Sequence, residues 1–117
     1  MPTVLVIDDD GVILDLIRTV LAEGGHTTLG FADLDEVPKD VIGDLVITDL
    51  VPLKSYNETG AREWVTHLRD RFEGAPLIIV TAHGEALSAD DALGADAVLT
   101  KPFDVELLLS KVKELLN

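Results

Sequence analysis

Residues 4–15 read VLVIDDDGVILD, an apolar run that ends in three successive aspartates, Asp8, Asp9 and Asp10, followed by Gly11. Like charges crowded at the end of an apolar strand repel one another unless a cation offsets them, so the stretch is a candidate for holding a metal ion. Two chemistries fit. In one, Asp8, Asp10, Gly11 and Val12 make a D-x-D-G-[TV] pattern, with Asp8 the nucleophile of a small Mg²⁺-dependent phosphohydrolase and Asp10 its acid/base. In the other, Asp8 and Asp9 share the metal on behalf of a nucleophile elsewhere in the chain, and Asp10 caps a helix beginning at Gly11.

The choice turns on which other residues the fold brings alongside. Short apolar runs alternate with segments of helical period, without a low-complexity linker or internal repeat. The runs TVLVI (3–7), TTLGF (27–31), DLVIT (44–48), APLIIV (75–80) and DAVLT (96–100) predict strands. The first, third and fourth are nearly continuous in Val, Ile and Leu, as suits central parallel strands buried on both faces. Helices are predicted near 11–23, 33–40, 60–73, 85–93 and 104–116; Gly24-Gly25 stops the first, and Asp104 caps the last. The last helix carries Val105, Leu108, Leu109, Val112, Leu115 and Leu116 at spacings of three and four, which makes it amphipathic. The expected fold is α/β: a doubly wound five-stranded parallel sheet with helices on both faces.

Such sheets place their sites at the carboxyl ends of the strands. After the first strand come Asp8 and Asp9; after the third, Asp49; after the fourth, Thr81 and Ala82; after the fifth, Lys101 and Pro102. Three carboxylates on one rim form a hard oxygen site suited to Mg²⁺ with retained waters. A lysine ammonium and a hydroxyl beside it complete the parts that in-line phosphoryl transfer requires. One carboxylate must then accept the group. Asp49 is the best candidate, because it stands alone after its strand while Asp8 and Asp9 are adjacent and better placed to share the cation.

The bulk properties narrow the field. At 117 residues the chain is the size of one domain, taken as 1–117 with no output domain. There is no cysteine, and His26, His67 and His83 show no metal-ligand spacing, so thiolate and zinc sites have no support. The N-terminus has neither a basic region nor an apolar run long enough for a signal peptide or membrane span, which suits a soluble, cytoplasmic protein. A net charge of −13 argues against binding nucleic acid through its phosphates and favours a neutral or basic partner. Nucleotide-binding glycine motifs, nucleophile elbows and zinc-protease motifs are absent from the sequence. Trp64 reads as core or interface packing.

With these residues in this order, the sequence resembles the receiver domain of two-component response regulators, in the manner of the stand-alone chemotaxis regulators. The resemblance covers essentially the whole chain. Its carriers are VLVIDDD, DLVITDL, LIIVTA and GADAVLTKPF. It implies a flavodoxin-like (βα)5 fold and a signalling switch, one that catalyses only its own phosphorylation and dephosphorylation. Asp49 would accept a phosphoryl group from a sensor histidine kinase or a histidine phosphotransfer protein. Mg²⁺ would be held by Asp9, Asp49 and the backbone carbonyl of Val51, with Asp8 acting largely through water. Lys101 would neutralise the acylphosphate, and Thr81 would move to bond it, shifting the surface made by the fourth helical segment, the fifth strand and the last helix. The output would be contact with an unidentified protein or onward phosphotransfer, with neither nucleic acid nor membrane as partner, and the chain a monomer or a weak dimer.

The sequence also departs from the family's pattern. Val98 stands where an aromatic residue usually precedes the lysine, which puts the usual relay of the signal in question. Beyond Asp49, Pro52 comes one place early and Gly60 late, and the stretch from Thr81 to Lys101 is short, which predicts a lengthened loop and an irregular fourth helix. His83 and Val51 occupy places that influence dephosphorylation in the family. Besides the phosphohydrolase with an Asp8 nucleophile, a pseudo-receiver that binds partners without being phosphorylated is a third reading, raised by Val98 and lowered by the complete acidic pair, Asp49, Thr81 and Lys101.

Overall fold

A computed structural model describes residues 2–50, 53 and 55–116. Strands β1 (Thr3–Ile7), β2 (Thr27–Phe31), β3 (Leu45–Thr48), β4 (Leu77–Thr81) and β5 (Ala97–Thr100) form one sheet in the order β2-β1-β3-β4-β5, and every pairing is parallel. Helices α1 (Gly11–Glu23), α2 (Glu58–Arg71) and α3 (Val105–Leu116) cover it. Because side chains alternate along a strand, each central strand serves two cores. Leu5, Ile7, Val46, Leu77 and Ile79 pack on one face against Ala61, Val65 and Leu68 of α2. Val4, Val6, Leu45, Ile47, Ile78 and Val80 pack on the other against Ile17 and Leu21 of α1 and Leu108 and Val112 of α3. This is the doubly wound sheet that the near-continuous apolar runs predict.

Two of the five predicted helices do not form. Segment 33–40 makes one 3₁₀ turn, Leu34–Glu36, and segment 85–93 gives two, Gly84–Ser88 and Ala92–Gly94. In the first, Pro38 disfavours the helical region for Val37, which is extended at φ −77 and ψ 119. Arg71 then donates through Nη2 to the carbonyls of Val37 and Pro38 at 3.0 and 3.2 Å, so a side chain of α2 pins the extended chain that follows the turn. In the second, Ala92 and Leu93 adopt φ of 54 and 60, a left-handed conformation costing about 1–2 kcal/mol per residue. Burial of Leu93 in the α2-side core, worth about 1.5–3 kcal/mol, offsets much of that cost. Arg62 holds the carboxylate of Asp91 through two hydrogen bonds of 2.8 and 3.0 Å, which ties this turn to α2. The irregular fourth helix expected from the short Thr81–Lys101 spacing is therefore no α-helix at all.

Candidate functional site

Asp8 and Asp49 meet because β1 and β3 are paired neighbours in register, with Ile7 opposite Thr48. The Asp8 amide donates to Phe31 O at 3.1 Å and the Asp49 amide to Ile7 O at 2.9 Å, so both residues begin where their strands leave the ladder. Lys101 arrives from the end of β5, its amide donating to Thr81 O at 2.8 Å. Its ammonium donates to Asp8 Oδ2 at 2.9 Å and to Asp49 Oδ2 at 3.0 Å. The Lys101–Pro102 peptide is cis.

The remaining carboxylate oxygens differ in their surroundings. Asp8 Oδ1 accepts the Asp10 amide at 2.9 Å, and Asp49 Oδ1 accepts the Leu50 amide at 2.7 Å. Asp9 is exposed, yet Asp8, Asp9 and Asp49 each offer an oxygen within a span of 4.8 Å. Asp10 is turned elsewhere: its Oδ1 accepts the amides of Val12 and Ile13 and caps α1. The three aspartates of the opening stretch thus separate into a pair facing the site and a helix cap.

Burial, foremost, raises the Asp8 carboxyl above its ordinary range, and the charge of Asp49 adds to the effect; the hydrogen bonds from Lys101 and the Asp10 amide oppose it without cancelling it. Burial would lower the Lys101 ammonium, but its hydrogen bonds and attraction to Asp8 and Asp49 outweigh burial and hold it above the usual lysine value. One ammonium faces three carboxylates, an excess of negative charge that a divalent cation would offset. The donors are all hard oxygens, so the site fits Mg²⁺.

The other residues singled out from the sequence lie around this centre. Thr81 is fully buried at the end of β4, and its Oγ1 accepts the His83 amide at 3.1 Å. Ala82 is exposed, and the His83 ring stands 6.0 Å from that of Tyr56, in the loop before α2. Val98 is half-buried against the α2-side core. Exposed Pro102 borders a cavity of about 230 Å³ lined also by Leu87, Val98, Phe103 and Leu107. Val51 and Pro52 lie outside the described residues.

One residue gained a role that periodicity did not indicate. The indole of Trp64 donates to Thr48 Oγ1 at 3.0 Å and to the main-chain oxygen of Asp49 at 3.1 Å. Its place beside Ala61, Val65 and Leu68 on α2 marked it as packing, and no sequence signal specified the acceptor of its N–H.

Comparison with known proteins gives a consistent picture. The sequence profile of the response regulator receiver domain matches residues 4–113. The DNA-binding dual master transcriptional regulator RpaA of Synechocystis sp. is 32% identical over 128 aligned residues, taking in 100% of this chain and 50% of that protein. The DNA-binding transcriptional regulator NtrC of Azospirillum brasilense is 33% identical, over 98% of this chain and 24% of that protein. The chain thus spans half or less of the length of these curated relatives. Among solved structures, the Francisella response regulator 1452 receiver domain aligns with a TM-score of 0.77 and 26% identity, covering 99% of this chain and 97% of that one. The chemotaxis response regulator CheY4 of Vibrio cholerae aligns over 98% of both chains with a TM-score of 0.73 at 21% identity, a likeness of fold alone.

Proposed function

Because the chain belongs to the response regulator receiver domain family of two-component systems, we propose that it is a phosphoacceptor switch that takes a phosphoryl group on Asp49. The observation that carries this reading is the shared ammonium: Lys101 bridges Asp49 Oδ2 and Asp8 Oδ2 at 3.0 and 2.9 Å while Asp9 stands on the same rim.

An Asp49 carboxylate oxygen attacks phosphorus in line, the new O–P bond forms, and the bond from phosphorus to the donor's leaving group breaks, the leaving group keeping the electron pair. The donor is a phosphohistidine of a sensor kinase or phosphotransfer protein, or a small acyl phosphate. Mg²⁺, held by Asp8, Asp9 and Asp49, would offset the charge of the phosphoryl oxygens. Lys101 then transfers its contact from the Asp49 carboxylate to a phosphoryl oxygen, keeping Asp8 as counter-ion. The Thr81 hydroxyl, whose oxygen accepts the His83 amide, donates its hydrogen bond to another phosphoryl oxygen. The chain's catalysis is confined to gaining and losing its own phosphoryl group, and its output is contact with another protein. The candidate surface for that contact is the cavity lined by Leu87, Phe103 and Leu107, which also takes in Thr100 and Pro102 on either side of Lys101. Among the described residues no helix is long and apolar enough to cross a membrane; the family's members typically act in the cytoplasm, and the same location is proposed for this chain.

Incubation with Mg²⁺ and acetyl phosphate, followed by mass spectrometry, tests the proposal. Modification at Asp49 that disappears in Asp49→Asn is the expected result. Modification of Asp8 with sustained turnover of phosphate esters would instead indicate a phosphohydrolase, and an unmodified chain a binding module.

A further inference from the structure

The peptide unit that joins Asp49 to Leu50 is held at both of its polar ends. On one side, the Asp49 carbonyl accepts the Thr48 hydroxyl at 2.6 Å and the Trp64 indole at 3.1 Å. On the other, the Leu50 amide donates back to Asp49 Oδ1 at 2.7 Å. A trans peptide is planar and its C=O and N–H point in opposite directions, so fixing the carbonyl fixes the direction of the amide. Drawing the carbonyl toward α2 therefore aims the Leu50 N–H at Oδ1 and leaves Oδ2 for Lys101.

Packing supplies the rigidity this requires. Thr48 is fully buried, so its hydroxyl has a defined position. The Trp64 ring packs on the α2-side core and lies against His67, with centroids 6.3 Å apart and planes 28° from parallel. We infer that Trp64 is a positioning residue for phosphoryl transfer: through the Asp49 carbonyl and the peptide plane it orients the accepting carboxylate. The inference rests on the proposed role of Asp49 and adds a determinant of its reactivity on a helix remote in sequence.

The test compares initial rates of Asp49 modification by acetyl phosphate at saturating Mg²⁺ in the parent chain, Trp64→Phe and Val65→Ala. Phenylalanine keeps an aromatic ring on the core but removes the N–H donor along with part of the indole's bulk, and Val65→Ala controls for lost packing by removing core volume from the same helix. Loss of one such hydrogen bond should slow Trp64→Phe by about three- to tenfold, while Val65→Ala reacts at the parent rate. Trp64 is the chain's single tryptophan, so its indole proton gives one resonance, which should shift when Asp49 is modified. A parent-like rate in Trp64→Phe, an equal slowing in Val65→Ala, or an unmoved indole proton overturns the inference while leaving the phosphoacceptor reading intact. A parent chain that takes no phosphoryl group at Asp49 overturns both.

Discussion

The Lys101 ammonium lies 2.9 Å from Asp8 Oδ2, joining the ends of the first and last strands across 93 residues of chain. Both side chains are largely shielded, with 14% of Lys101 and 2% of Asp8 exposed, so the pair is not a surface salt bridge of negligible worth. The consequences can be measured separately.

Removing the cation alone strands a buried charge. Lys101→Met should cost about 3 kcal/mol in metal-free buffer, because breaking a buried pair leaves its partner uncompensated. Adding Asp8→Asn to Lys101→Met should recover part of that loss. Chemical denaturation of the two single variants and the double one measures the coupling, and strictly additive losses would contradict it.

Asp8 and Lys101 act on stability at opposite ends of the pH scale. The folded Asp8 carboxyl binds its proton above the model value of 3.8, so its contribution is present below that pH and is lost as pH rises through the raised folded value. At neutral pH the ionised Asp8 therefore weakens the metal-free fold, and Asp8→Asn should stabilise it by about 1 kcal/mol, a few degrees in Tm. The Lys101 contribution is present below 10.5 and is lost as pH rises through its own raised value, so alkaline melting should steepen above 10.5 and flatten in Lys101→Met. Thermal melts across pH would show both trends.

Magnesium should stabilise the parent chain by about 2.7 kcal/mol at a hundred times its dissociation constant. Protons compete for Asp8, so the gain should shrink on acidification, and removing the ion with a chelator should reverse it. Asp8→Asn should blunt the gain at every pH. A Tm indifferent to Mg²⁺ at neutral pH would speak against a metal site formed by Asp8, Asp9 and Asp49.

Asp10 should prove separable from its neighbours. Asp10→Ala removes the side chain that caps α1 while keeping the main-chain amide that donates to Asp8. A loss of about 1 kcal/mol in stability, with an unchanged rate of Asp49 modification, is expected. Loss of modification in a folded Asp10→Ala chain would return Asp10 to the chemistry.

The turns that replace the fourth helix bury Ala86 and Leu93 in the core, and Leu93 is the larger of the two. Leu93→Ala should cost about 2–4 kcal/mol, whereas Leu87→Ala, at a side chain 57% exposed, should change stability by less than about 0.5 kcal/mol. Equal losses at the two positions would mean that the segment packs differently.

Much of this was legible in one dimension. The five strands fall where the apolar runs predict, because central parallel strands are buried on both faces and must be apolar almost throughout. The placement of Asp8, Asp9, Asp49, Thr81 and Lys101 at strand ends follows from the same pattern, since a parallel sheet collects its carboxyl ends on one rim. At 33–40 the helical period hides a breaker that the sequence does carry, Pro38, whereas the left-handed turn at Ala92 and Leu93 leaves no mark on periodicity. Arg71 pins the carbonyls of Val37 and Pro38, and Arg62 the Asp91 carboxylate, contacts from α2 that no local pattern announces.

By itself, then, the sequence determined the sheet, its two cores and the set of groups on its rim, because these depend on residue type and spacing along a strand. Only the tertiary structure decided what each group bonds. It set the Lys101 ammonium between Asp8 and Asp49 and brought the Trp64 indole to the Asp49 carbonyl, whereas the Asp10 cap on α1 is local and legible in the sequence. Hydrogen bonds are directional over about 3 Å, and partners far apart in the chain reach that range only once the cores on both faces have packed.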